Sequence, residues 1–400
     1  DELEIDLPTV QIDPTDKIIM PDFTIYLRAK IEDTIAEFKR CFPKEARNIE
    51  KFFEFILNKD FLSVYKEVKE ITFGRLLNSF FKDYKLKAVF SLLLGNLGLS
   101  AKTAFAVPAI ILFREYILDS GHYPIGGIQA FPDKLVEKLN SLNGEVILSK
   151  KVVKIITTGS EKEVVLDDGR QIPAKVIVSN ADATETFKEL LDIKVKEAKR
   201  VDKMKASPSL FLVYLGLKGN LENTLKEKTN IWYSSSYDID RMYSYMANKV
   251  INKKPESVAC SFPSMHDPSL TDKEKFTATL FIFAPFKTKE FWEKNKLKVG
   301  QRMINKAAEI IPRLKESIDI KIHGTPYDFY RYTANKNGSF VGWLSDLKQT
   351  GKLSLLQRTS VKNLYLTGHW CTMGYLGYGG IPKVAFSGKK AAMLILRGIS

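Results

Sequence analysis

Residues 362–370, KNLYLTGHW, lead through a short connection into residues 377–388, GYGGIPKVAFSG, and the reading of this passage decides how the chain is built. The first part reads as a short buried strand that ends on Gly368. The second strips side chains at Gly377, Gly379 and Gly380 and then opens an apolar helix, with Pro382 expected at its first position, where a missing N–H does no harm. So little side chain between a strand and a helix lets another molecule approach the backbone closely. The helix start adds unpaired N–H groups and a partial positive charge. Glycines also serve plain turns, so the rest of the chain has to be weighed.

The 400 residues exceed what one core usually serves, so two lobes are expected. A hydrophobic content of 44% with 27% charged residues describes an ordinary globular chain. The three cysteines are far apart and the four histidines scattered, which fits a reducing, cytoplasmic setting and argues against disulfides and against a metal site. The 61 Lys and Arg outweigh 47 Asp and Glu, leaving a charge of +14. These cations are mostly lysines mixed with acids, without an arginine-rich, aromatic-interleaved stripe, so no nucleic acid partner is expected. An anionic membrane surface suits the surplus better. The most apolar stretch, residues 87–118, is broken by Gly95, Asn96, Lys102 and Pro108 into pieces shorter than the ~20 residues of a spanning helix. The start of the chain has no apolar leader segment.

Period and punctuation then divide the chain. Residues 1–30 alternate as strands, with a turn at Pro21-Asp22. Residues 31–120 repeat apolar side chains at three- and four-residue steps, as helices do. Residues 121–190 open with Gly126-Gly127 and a helix from about Ala130 to Asn143-Gly144. They continue as short strands, GEVILSKKVVKI through AKVIVSNAD, punctuated by Thr-Gly-Ser and Asp-Asp-Gly turns. Residues 191–335 mix strands with an amphipathic helix, and residues 336–400 return to strand, glycine turn and helix.

Four stretches agree in order with one family: YPIGGIQAFPDKL, the 144–182 strands ending VIVSNAD, YDFYRYTANKNGSFVGW, and the closing motif. Together they resemble the phytoene desaturase, carotenoid isomerase and retinol saturase branch of the FAD-dependent amine oxidase-like superfamily. The resemblance implies an α/β fold: a discontinuous, Rossmann-like FAD-binding domain, truncated at its N-terminus, interleaved with an α+β substrate domain. The family's opening strand–GxGxxG–helix unit, which grips the FAD pyrophosphate, has no counterpart in this sequence; Gly95–Ser100 has the wrong spacing. A fragment, a split gene with a separate chain carrying that unit, or loss of the cofactor are the readings this leaves.

The resemblance assigns FAD as cofactor and places residues around it. Gly368 lets the ribityl-phosphate pass, and His369 stands where relatives carry an acid or glutamine. Gly379 and Gly380 lie against the isoalloxazine, with Ile381, Pro382 and Val384 in the helix start beside it. Gly126 and Gly127 come near the flavin, the Val152 backbone pairs with adenine, and Asn180 ends a strand near the adenosine. Each has a plainer reading: a turn, a core strand valine, or, for Asp182, a helix cap. Tyr332 and Trp343 are read as aromatic walls beside the substrate or as interdomain packing. No catalytic base is identified, which hydride abstraction by a flavin tolerates. The expected reaction is desaturation, saturation or isomerisation at carbon–carbon bonds of an apolar isoprenoid- or carotenoid-like lipid. The alternatives are an amine oxidase-like enzyme and a non-catalytic lipid-binding homologue. The segment Val89–Leu118, with Leu92, Leu93, Leu94, Leu97, Leu99, Phe105, Val107, Ile110, Ile111, Leu112 and Phe113, is expected to border the substrate entrance and touch a membrane peripherally.

Overall fold

SLFLVYLGLK is a nearly continuous apolar run, and it forms the strand β9 with every second side chain, from Ser209 to Leu217, buried. In the computed structural model this strand lies next to one edge of the larger lobe's sheet. The structure describes residues 3–118, 121–158, 161–219, 225, 228–249, 253–350, 353–372 and 380–399.

The strands, in chain order, are β1 (Thr9–Ile12), β2 (Asp16–Ile19), β3 (Thr24–Leu27), β4 (Gly121–Pro124), β5 (Val152–Ile156), β6 (Lys162–Leu166), β7 (Gln171–Ala174), β8 (Ile177–Ser179), β9 (Ser209–Lys218), β10 (Asn230–Ser234), β11 (Ser257–Ser261), β12 (Lys275–Ala284), β13 (Ile318–Gly324) and β14 (Leu364–Leu366). Seven of them make one mixed sheet in the order β13-β9-β12-β11-β10-β2-β3. All neighbours in it are antiparallel except β10 and β2, where Asn230 pairs with Asp16. The smaller lobe holds the antiparallel meander β5-β6-β7 and the parallel pair β8-β14, with Thr367 donating its N–H to the Ser179 carbonyl at 2.9 Å. The expected turn at Pro21-Asp22 joins β2 to β3.

The helices begin with α1 (Ile31–Cys41), α2 (Ala46–Leu57), α3 (Phe61–Val68), α4 (Phe73–Phe80), α5 (Tyr84–Leu93) and α6 (Ala106–Leu118). Their starts are legible in the sequence: Asp60, Thr72 and Asp83 each accept a backbone N–H from the first turn that follows. Their apolar faces close on phenylalanines. Phe90 stacks on Phe38 at 5.0 Å and on Phe81 at 5.7 Å, and meets the Phe52 edge at 5.0 Å. After α7 (Ala130–Ser141) come two short turns, α8 (Ala183–Glu185) and α9 (Lys196–Val201). Then follow α10 (Ile239–Lys249), α11 (Pro263–His266), α12 (Lys289–Ala307), α13 (Leu314–Ser317), α14 (Pro326–Thr333) and α15 (Ile381–Ile399).

Two expectations are corrected here. Leu92, Leu93, Leu94, Leu97, Leu99 and Phe105 are all at least 92% buried in the core of the larger lobe, so packing between α5, the turn after it and α6 accounts for them and no lipid surface is needed. Residues 145–150 do not form a strand. Val146, Ile147 and Leu148 stand exposed, because a strand requires a neighbour to pair with and none of the described residues supplies one.

Candidate functional site

The parallel pair β8-β14 brings two strand ends side by side, each followed by a candidate residue. Asn180 follows β8 and Gly368 follows β14. In open parallel sheets this carboxyl edge is where ligands collect. Gly368 holds φ +80°, and a Cβ there would fall 1.8 Å from the Asn180 Oδ1. The glycine is therefore demanded twice, by conformation and by space. His369 is half-buried, and that burial pushes its imidazole pKa down to about 4, so the ring is neutral at physiological pH.

The next residues of the passage return at α15. Gly379 lies outside the described residues. Gly380 has φ +80° with nothing within 4 Å of a Cβ built on it, and Ile381 and Pro382 are exposed while Val384 is half-buried. The helix begins at Ile381, so Pro382 is its second residue rather than its first. The correction changes little, because none of the first four N–H groups has an intrahelical partner. The helix is tied to β14 by Ser387, which is buried and 3.5 Å from the Thr367 hydroxyl. Gln357 completes that tie: fully buried, it donates to the Ser387 hydroxyl at 3.2 Å and the Thr372 carbonyl at 3.3 Å. No sequence signal pointed to Gln357; it looks like any glutamine in a loop.

The crossing between the lobes, residues 335–343, is pinned to both strand ends. Asp182 caps α8 through the Thr184 N–H at 2.6 Å and also accepts the Lys336 N–H at 2.6 Å. Burial raises its carboxyl pKa while these N–H bonds act against the rise. Asn335 accepts the Trp370 indole N–H at 3.1 Å, and the Trp343 indole donates to the Trp370 carbonyl at 3.0 Å. Trp343 has no exposed surface and meets Trp370 edge to face at 4.8 Å. It holds the turn at Trp370 and presents no wall to a substrate. Tyr332, by contrast, is 78% exposed on α14, under the Arg331 guanidinium.

Gly126 and Gly127 are held from the other lobe. The Gly126 N–H donates to the Asp267 carboxylate at 2.7 Å, which with Ser269 keeps that acid below the usual carboxylate range. Gly127 packs on Leu270. Val152 opens β5 and packs half-buried against Ile177 and Leu364, beneath the parallel pair. The structure thus joins Asn180, Gly368, His369 and the α15 start into one edge, with Val152 below it, and fastens Gly126-Gly127 to the larger lobe.

Gly380 leaves open room at the start of a helix, and the N–H groups of its first turn are free of intrahelical partners. A second feature concerns what lies beside it. Ile125, Ile128, Leu139, Leu142 and Leu148 are exposed, as are Ile381, Phe386 and Met393 on α15, and α7 buries none of its residues.

The comparisons with known proteins agree with this geometry. The family model of the flavin containing amine oxidoreductases matches residues 22–396. The phytoene desaturase (neurosporene-forming) of Rhodobacter capsulatus is 28% identical over 289 residues, 68% of this chain and 53% of that protein. The all-trans-retinol 13,14-reductase of Rattus norvegicus is 24% identical over 314 residues, covering 71% and 51%. The chain spans about half the length of these curated relatives. An oxidoreductase from Methanosarcina mazei superposes with a TM-score of 0.69 at 14% identity, over 98% of this chain and 83% of that one, which shows the fold. Among the described residues no helix is long and apolar enough to cross a membrane, and no cluster of His, Cys, Asp or Glu is arranged to hold a metal. The family model's match over residues 22–396, nearly the whole chain, makes this chain a member of the flavin containing amine oxidoreductases, whose cofactor is FAD.

Proposed function

We propose that this chain acts as an FAD-dependent oxidoreductase on carbon–carbon bonds of an apolar, isoprenoid- or carotenoid-like lipid, by desaturation, saturation or isomerisation. The observation that carries the reading is a cavity of about 670 Å³ whose walls include Leu99, Pro208, Tyr243, Phe283 and Leu344. Its end at Leu344 adjoins Trp343, in the crossing that is bonded to Trp370. Tyr243 spends its hydroxyl on the Leu92 carbonyl, so its ring joins Leu99, Pro208, Phe283 and Leu344 as apolar wall, while Ser100, Thr103, Ser244 and charged side chains line the rest. The names of the Rhodobacter and rat relatives point the same way.

FAD, when bound, supplies a two-electron acceptor or donor for a hydride. The chain's own part is positioning. The glycines at 368 and 380 keep Cβ atoms out of the approach. The N–H groups and dipole at the α15 start favour negative charge where it develops. His369, neutral in its buried setting, is able to share one proton in a hydrogen bond without adding charge. Apolar walls hold the lipid carbon in line and exclude water, and such positioning is where most of the rate gain in hydride transfer arises.

The exposed faces of α7, α15 and residues 146–148 are the surface on which we place a strand–glycine-turn–helix polypeptide, on this chain or a separate one, that would complete the grip on FAD. Parallel sheets are stable when covered on both faces, and the β8-β14 pair is a parallel one of two strands. Uptake of the lipid from a membrane surface belongs to the same reading.

The test is spectroscopic. The protein, purified with that polypeptide, should carry a flavin band that a desaturated lipid substrate bleaches anaerobically, the product being two hydrogens lighter; for saturation, flavin first reduced with dithionite should regain its band as the liposome-borne lipid gains two hydrogens. Isomerisation would instead give a shifted product of equal mass. If such lipids neither bleach the band nor change, while a primary amine bleaches it, the reading is wrong.

A further inference from the structure

The apolar cavity does not end in hydrocarbon. A second cavity, of about 510 Å³, lies between α4, α5 and the start of α10, and Lys102, Asp238 and Asp240 line both. Both volumes fall in the range of ligand sites, roughly 300–1,000 Å³. The inner one ends at Leu344 and Phe283. The outer one is floored by Leu77, Ala88 and Ala101, and Arg75, Lys87 and Lys102 stand on its walls.

The charges there do not cancel. Asp238 is committed to its own helix: one oxygen accepts the Arg241 N–H at 3.1 Å, and the other accepts the Arg241 guanidinium at 3.2 Å. Arg241 is balanced in turn by Glu256 at 2.8 Å. Lys87 donates to the neutral Asn78 amide at 2.8 Å. Arg75 and Lys102 have no carboxylate within ion-pair distance among the described residues. Arg75, Lys87 and Lys102 therefore face two acids, Asp238 and Asp240, and a positive charge is left in surplus across a mouth that opens to solvent. A wall of hydrocarbon ending in surplus positive charge is the complement of an amphiphile.

We propose that this pair of cavities binds a long apolar chain bearing a phosphate head, with the head held by Arg75, Lys87 and Lys102 and the tail lying toward Leu344. A guanidinium and ammoniums on the walls of one cavity give a phosphate charge-assisted hydrogen bonds, which are the strong kind. The inference rests on the reading above that the inner cavity is the substrate side of the flavin. It goes further in giving the substrate a charged end and the cavity a direction.

Binding to the FAD-loaded protein is measured by quenching of tryptophan fluorescence with three probes: a C20 prenyl phosphate, the matching prenol, and inorganic phosphate. The prenyl phosphate should bind at least tenfold tighter than the prenol, and inorganic phosphate should compete weakly, because it leaves the tail sites empty. In R75Q/K102Q the prenyl phosphate should lose about tenfold in affinity while the prenol is unchanged. With the unaltered protein, raising salt should weaken the phosphate-bearing probe and spare the prenol, a readout that needs no variant to fold. Filling the inner cavity with L344W should weaken both prenyl probes. Equal affinity for prenol and prenyl phosphate overturns the proposal, and so does full competition by inorganic phosphate, which would mark a surface anion site only. Head-dependent binding without any bleaching of the flavin would leave this inference standing and sink the redox reading instead.

Discussion

The crossing between the lobes offers a sharp quantitative test, because two glycines with nearly the same backbone differ only in their surroundings. Gly342 has φ +75° and Gly169 has φ +85°. A Cβ on Gly169, in the turn between β6 and β7, meets nothing within 4 Å. A Cβ on Gly342 falls 2.1 Å from the His369 carbonyl oxygen and 2.8 Å from its carbon, both backbone atoms that no rotamer change can move. Gly169→Ala therefore carries only the left-handed strain of an L-residue, about 1–2 kcal/mol. Gly342→Ala carries the same strain plus an overpacked contact, typically 1–3 kcal/mol, so about 2–5 kcal/mol in all. The clash also acts on the site. To restore ordinary contact the His369 carbonyl must retreat by over an ångström, carrying with it the turn Gly368–Trp370. Gly342 is further held by the Ser207 N–H at 2.7 Å and the Ser339 hydroxyl at 2.8 Å on its carbonyl, so the crossing itself does not yield easily. Urea unfolding of both variants, followed together with release of flavin fluorescence, measures the difference. Gly342→Ala should be the less stable by about 1–3 kcal/mol and should release FAD before it unfolds. Equal midpoints for the two variants would show that the 342–369 contact is looser than the geometry states, and the coupling of crossing to site would fall with it.

Other expectations follow from single residues. Gly380→Val carries the left-handed strain of an L-residue but meets none of the described residues within 4 Å at its Cβ, so it should fold with a modest loss of stability yet lose FAD on gel filtration; full retention would reduce Gly380 to a turn. Asp16 is buried, accepts the Trp232 indole N–H at 2.9 Å and leaves its other oxygen without a partner, and burial lifts its pKa from 3.8 to about 7. The folded state then holds a proton that the unfolded state has lost, so stability is full below pH 4 and falls as pH rises to about 7. D16N should abolish that fall, and a pH series of thermal midpoints in which both proteins decline alike would refute it. Leu97, 4% exposed, and Phe105, 1% exposed, should behave as core. L97A should be destabilised by about 2–5 kcal/mol with no selective effect on liposome binding, and a fully stable variant that lost lipid binding would restore the membrane reading of this segment.

How much of this was legible along the chain depended on how local the cause was. The glycine passage from Gly368 to the α15 start and the turn at Pro21-Asp22 depend on backbone conformation and on hydrogen bonds within a few residues, so composition and spacing revealed them. Asp182 showed itself as a cap for the same reason; its second bond, to the Lys336 N–H, joins positions 154 apart and left no trace in the pattern. Leu92, Leu97 and Phe105 have the same hydrophobicity on a lipid-facing surface as in a core, and only the helices packed against them decided which it was. Likewise Val146–Leu148 has strand composition, yet a strand exists only where a neighbour supplies hydrogen bonds. Trp343 and Gln357 became structural ties because the crossing folds back on residues 370–372 and on α15. Sequence alone determined the elements that satisfy themselves locally. Tertiary structure decided every question of which surface is covered, because burial belongs to a pair of surfaces and the second surface comes from elsewhere in the chain.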